Sequence, residues 1–372
     1  MNKTAIWKQR RLDAKRERRR LSRRNWRHRQ AGARLEAHER LAAVAPARPH
    51  PNPSQATRKR VRIITPPPRM DLDENYDATV SLFKNIRFAT QQLRGDLMVD
   101  LKVVVDISPA AALLLVAECD RWRERTKAQW LRAFDVADWT PSVRRRLKEM
   151  GFFDVLNSRN IPHDPVLPGE DRYVPFLTGR RNPGAPAAQL RKGIEALGPT
   201  VADREALYEG LVEAMTNVTQ HAYRTQGTDS GPERWWISAS VNPERRTMTV
   251  MVVDHGVGIA KTLPRSGRWE AMRQAIPLGM AKDDAHIVRA AFAKDAVNRS
   301  QTGQEHRGKG LRENIKGYVE SHNSHGKLRV ITNRANYQYS RLNDTEEETS
   351  VSVPVPFDGT FIEWVIEDYG QE

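Results

Sequence analysis

Glu213-Ala-Met-Thr-Asn217-Val-Thr-Gln-His221 lies inside an apolar-periodic stretch running from Ala202 to Tyr223, and its spacing predicts a helix with two contrasting faces. Positions four apart lie about 40° from one another around a helix axis, so Glu213, Asn217 and His221 form one polar ridge. Leu207, Leu211, Ala214 and Val218 occupy the neighbouring face and suit burial against a sheet. A ridge of this kind also serves as a plain solvated face. Its chemistry offers a second use: a carboxylate and a carboxamide oxygen stacked on one face can orient a water and ligate Mg²⁺, which prefers oxygen donors.

Two further stretches follow in order. Val252-Val-Asp254-His-Gly256-Val-Gly258-Ile259 is an apolar strand ending in an acid and two glycines spaced by one residue, a turn where backbone can approach a ligand closely. Arg307-Gly308-Lys309-Gly310-Leu311 opens a helix expected from Leu311 to Ser321, and glycines at a helix N-terminus leave N–H groups free for phosphate. The spacing differs from the phosphate loop of P-loop NTPases. Around these lie a helix to about Leu197 and strands expected at Trp235–Val241, Thr247–Asp254, Lys327–Asn333, Ser350–Val355 and Thr360–Ile366. Helices grouped before and between antiparallel strands predict an α+β sandwich.

The ordered set resembles the GHKL superfamily of gyrase, chaperone, histidine-kinase and mismatch-repair ATPases, whose Bergerat fold carries an N-box and two glycine boxes in this order. The resemblance implies ATP and Mg²⁺ as cofactors. It makes Glu213 the general base and Asn217 the Mg²⁺ ligand, and it has Asp254 accept from the adenine amino group while Gly256 and Gly258 shape the pocket. Gly308, Lys309, Gly310 and Leu311 would then face the phosphates, and Lys261 to His306 would be the ATP lid, with Arg299, Thr302 or Arg307 reaching a γ-phosphate. Glu213 to Tyr223 is most similar to the bacterial anti-sigma serine kinases, so the implied activities are ATP hydrolysis, a nucleotide-driven switch, or serine/threonine phosphotransfer to a STAS-domain or sigma-regulatory partner. Many members dimerise, which makes a homodimer an expectation here.

Residues 70–160 read as a small α/β domain: a helix Asp77–Leu93, a buried strand Leu101–Ile107, a helix Ala110–Arg125, a strand Ala128–Phe134 and a helix Ser142–Met150 closed by Gly151. Asp106-Ile-Ser108 before an apolar helix, with Val143, Leu147 and Gly151-Phe-Phe later, resembles the STAS fold, although Asp106-Ile-Ser108-Pro109 replaces the usual Asp-Ser-Ser-Gly turn. Ser108 suits an N-cap for the following helix, a phosphoacceptor, or a relic of one. Six prolines between Ser158 and Pro186 mark residues 161–188 as a connection to the sandwich of residues 189–372.

The chain has 372 residues with 61 Lys plus Arg against 46 Asp plus Glu. Residues 1–69 hold 21 of those bases and 4 of those acids, a net of +17, which leaves 40 against 42 for the rest. This basic, proline-rich segment predicts a flexible tail that contacts DNA, RNA or an anionic membrane through counterion release, nucleic acid without sequence preference first among them, or else a solubilising or partner-docking arm. Its Trp7 and Trp26 could stack on bases. One cysteine, Cys119, excludes an internal disulfide framework and suits a cytoplasmic protein. No apolar run approaches the roughly 20 residues of a membrane span, and the histidines lack metal-ligand spacing.

Overall fold

The computed structural model describes residues 62–92, 97–126, 131–180, 183–198, 204–218, 222, 234–265, 269–293, 311–321, 325–342 and 345–367. The strands are β1 (Arg62–Ile64), β2 (Arg69–Met70), β3 (Leu97–Val99), β4 (Asp106–Ile107), β5 (Leu131–Ala133), β6 (Arg172–Gly179), β7 (Trp235–Asn242), β8 (Thr247–Asp254), β9 (Gly326–Leu342) and β10 (Thr345–Glu367). The longer helices are α1 (Tyr76–Gln92), α2 (Pro109–Thr126), α3 (Pro141–Glu149), α4 (Gly184–Ala196), α5 (Arg204–Asn217) and α6 (Asp284–Phe292). The architecture is mixed α/β, as the alternating and then grouped pattern predicts. No helix among the described residues is long and apolar enough to cross a membrane.

The amino-terminal half builds on a parallel sheet β1-β3-β5 and a short parallel pair β2-β4. Leu101–Ile107, expected as one buried strand, is mostly a turn. Asp100 accepts from Lys102 N at 3.0 Å, and Val104 N bonds Leu101 O at 2.9 Å. This turn throws Val103 and Val105 out to 47% and 55% exposure. Pro109 starts α2 with its φ preset, and Ser108 Oγ accepts from Ala111 N at 3.2 Å, a cap of the expected kind. Gly151, at φ 86°, closes α3 as its position predicts.

The carboxy-terminal half is a five-stranded antiparallel sheet in the order β6-β7-β8-β10-β9. Its edge strand β6 lies inside residues 161–188, so the expected connection contributes a strand, and β1 likewise falls within the segment expected as flexible tail. Tyr173 and Val174 are buried there, which explains why a proline-rich stretch is ordered. On one face α4, α5, α6 and the Leu311–Ser321 segment pack over Val250, Val252, Ile362 and Trp364. That segment was expected to be α-helical throughout. Instead it runs as a π-helix over Leu311–Lys316 before turning α-helical at Gly317–Ser321.

The other face is covered by the first half. Trp236, Met251, Val253, Ile331 and Phe361 share one apolar core with α1 and α2. Burying each such side chain contributes about 1.5–3 kcal/mol. This explains why α2 is apolar all round from Ala110 to Ala117: it is pressed between its own strands and the large sheet. Polar contacts fasten the margin, with Tyr76 Oη donating to Val355 O at 3.0 Å and Arg329 paired with Asp73 at 2.8 Å. The halves that the sequence divides near residues 161–188 therefore have a continuous interior, and residues from Lys59 onward form one compact unit. Cys119 is fully buried, and burial pushes its thiol far above the usual range.

Candidate functional site

Helix α5 places Leu207, Leu211, Ala214, Met215 and Val218 in the core and leaves Glu213 and Asn217 half-buried at its margin. The Glu213 carboxyl is raised above its ordinary pKa by burial, while the neighbouring Asn217 carboxamide works in the opposite direction. His221, the third member of the expected ridge, lies outside the described residues. Gly210 on the same helix is a site of close approach. A Cβ there would meet Asn314 O at 3.0 Å, so α5 packs directly on the π-helical segment that begins at Leu311.

Asp254 ends β8 at 3% exposure. Strand alternation sets it on the face of Val250 and Val252, the face that carries α5. Burial lifts its carboxyl to about 7, against hydrogen bonds from Gly256 N at 2.6 Å and from Thr360. The turn that follows leaves no room for side chains. A Cβ at Gly256 would lie 2.4 Å from Ala222 Cβ, and one at Gly258, where φ is +87°, would lie 2.4 Å from Asn333 Oδ1. Val257 N bonds Ala222 O at 2.8 Å, which ties the glycine turn to the chain just beyond α5.

The structure thus brings Glu213, Asn217, Asp254, Gly256, Gly258 and Leu311 to one face of one sheet. Gly308, Lys309 and Gly310 lie outside the described residues, as do Arg299, Thr302 and Arg307. The expected lid is only partly described, and α6 within it is core. Val288 and Phe292 are fully buried, Phe292 stacks on Tyr337 at 4.4 Å, and Ser350 Oγ donates to Ala285 O at 2.7 Å. The span expected as a lid therefore includes a docked helix.

Sequence reasoning missed a group on β9 and β10 that supports the turn. Thr332 Oγ1 accepts from Ile259 N and donates to Gly359 O, both at 2.9 Å, while Asn333 Nδ2 donates to Val257 O at 2.8 Å. Thr360 stands opposite Asp254 in the β8–β10 register. Gly359 before it, at φ +111°, admits Asp254 O to within 2.0 Å of where a Cβ would stand. The Asp358-Gly359 pair ahead of the strand expected at Thr360–Ile366 was the available signal, since such a dipeptide marks a backbone irregularity. The whole arrangement is a buried hydrogen-bond acceptor, a tightly packed glycine turn and a half-exposed carboxylate with a carboxamide beside it. Among the described residues no group of acidic, histidine or cysteine side chains could hold a metal unaided. No protein-family model matches the chain, and no curated protein matches it.

Proposed function

We propose that the chain is a regulatory protein that binds Mg-ATP in a site of the GHKL type and hydrolyses it or uses it as a conformational switch. The observation that carries this reading is the convergence of three segments far apart in sequence: α5 against the Leu311 segment at Gly210, and the Asp254 turn against Ala222. The residues fit the group. Asp254 offers a buried acceptor for an amino group, and Gly256 and Gly258 keep the turn free of side chains. Asn217 and Glu213 offer oxygen donors, the kind Mg²⁺ takes when it retains waters and shares phosphate oxygens. Such an ion neutralises charge on phosphate oxygens when bound. Asn217 would hold it, and Glu213 would take the proton of an attacking water. Burial, which raises the Glu213 pKa, suits that proton-accepting role.

Phosphotransfer to Ser108 in the same chain has less support, because the Ser108 hydroxyl already caps α2. Polyanion binding by the tail, residues 1–69, rests on its charge, and residues 1–61 of it lie outside the described ones. The deciding experiment titrates Mg-ATP into the full chain by calorimetry, for wild type and Asp254→Asn. Binding by the wild type that is lost in the variant is the expected result. Equal affinity in the two proteins overturns the assignment of Asp254, and no binding by either overturns the nucleotide reading.

A further inference from the structure

Two segments shape the Asp254 carboxylate, the turn after it and the Asp358–Thr360 stretch of β10, and both are gripped from the opposite face of the sheet. Glu118, midway along α2, is only 2% exposed. Its Oε1 accepts from Arg87 Nε at 3.1 Å and lies 3.2 Å from His255 Nε2, while Arg121 stands 3.5 Å from Oε2. His255 packs on Trp236 with ring centroids 4.8 Å apart. Burial, followed by the charges of Arg87 and Arg121, holds the His255 imidazole well below its usual pKa and thus neutral. Arg87 also reaches the Asp358 carboxylate at 3.2 Å and the Asp358 carbonyl at 3.3 Å. One buried carboxylate from the amino-terminal half is thereby linked to the residue after Asp254 and to the residue before Gly359.

Around this cluster the interface core is largely apolar, with Asp120 bonding Trp236 and Arg234 beside it, and replacing buried ion clusters by apolar side chains is often neutral or stabilising. The cluster is therefore better explained by what it arranges than by stability. We propose that Glu118 is a positioning residue of the nucleotide site, acting through His255 and Arg87 to fix the Asp254 turn, so that the amino-terminal half sets the affinity of the site in cis. The proposal rests on the nucleotide reading above, and its test separates the two.

Full-length Glu118→Gln, His255→Asn and the double variant are compared with Val143→Ala, a buried substitution in the same half on α3, not on the helices that carry Arg87 and Glu118. Melting temperatures establish that each folds. Amide hydrogen exchange over residues 252–259 and 357–361 is then measured without nucleotide, and Mg-ATP affinity by calorimetry. Glu118→Gln should speed exchange in both segments and weaken Mg-ATP at least about fivefold, the lower range of coupling between sites. The double variant should be weaker than His255→Asn alone by less than the whole Glu118→Gln effect, the remainder being the route through Arg87 to Asp358, and Val143→Ala should change neither readout. Additive effects of the two substitutions, or exchange in Glu118→Gln that matches Val143→Ala at equal loss of melting temperature, would overturn the proposal. Should wild type bind no Mg-ATP, the nucleotide reading fails and exchange alone decides the coupling. Arg87→Met, at the edge of the cluster, makes the same comparison if Glu118→Gln does not fold.

Discussion

Acidification should weaken Mg-ATP binding through Asp254. Burial lifts this carboxyl to about 7, against hydrogen bonds from Gly256 and Thr360 and the attraction of Arg87. A donating amino group favours the ionised form, so binding below that pH must expel a proton, at about tenfold in affinity per pH unit. Between pH 7, where half of the sites are already protonated, and pH 5.5 the expected loss is about 16-fold, and above about pH 8 the affinity is flat. Calorimetry in two buffers of different ionisation enthalpy, with Mg²⁺ saturating, counts the protons: close to one released at pH 6 and close to none at pH 8.5. Equal affinity at pH 5.5 and 7, or proton uptake, would refute the reasoning. Stability carries the same linkage with a definite sign. An unfolded Asp ionises near its model value of 3.8, well below the folded value of about 7. In that window the unfolded chain holds fewer protons, so stability falls as pH rises through it, by at most about 4 kcal/mol. Asp254→Asn should remove that part of the slope. Glu363, lifted by burial to about 7, contributes a share of the same sign that remains in the variant.

Three other outcomes follow from single contacts. Glu213→Gln should keep Mg-ATP affinity within about threefold while phosphate release falls at least about 100-fold, the scale of a lost general base; full turnover would remove Glu213 from that role. Gly359→Ala sets a Cβ 2.0 Å from Asp254 O at φ +111°, so strain and overpacking should destabilise by about 2–5 kcal/mol in urea unfolding. A change under about 0.5 kcal/mol would mean that this contact is not tight. Phe292→Ala should cost about 3–5 kcal/mol as a core truncation; a loss below about 1 kcal/mol would mean that α6 is undocked.

Much of this was legible because it depends on local periodicity. The four-residue spacing of α5, the apolar run of β8 and the Pro109 and Gly151 boundaries all sit within a few residues of the sequence reading. Features decided by distant partners were not. LKVVVDI at residues 101–107 has the composition of a strand, yet the Asp100 turn interrupts it. The prolines near β6 read as a connection because nothing local reveals that Tyr173 and Val174 will be covered. Thr332, Asn333 and Gly359 belong to the site only through the pairing of β10 with both β8 and β9, strands far apart in sequence. Glu118 directly follows the apolar residues Ala110–Ala117, and its partners lie 31 positions away at Arg87 and far beyond at His255.

Because β7, β8, β9 and β10 each contribute to two interiors, the usual practice of trimming a protein at a proline-rich boundary would injure this one. A piece starting at residue 189 would lack β6 and so leave β7 as a raw edge. It would also bare Trp236, Met251, Val253, Ile331 and Phe361 as one apolar surface, the combination that drives sheets to aggregate. The smallest portion that can be exchanged between proteins or produced by itself therefore runs from β1 through β10, and the amino- and carboxy-terminal halves must be inherited together.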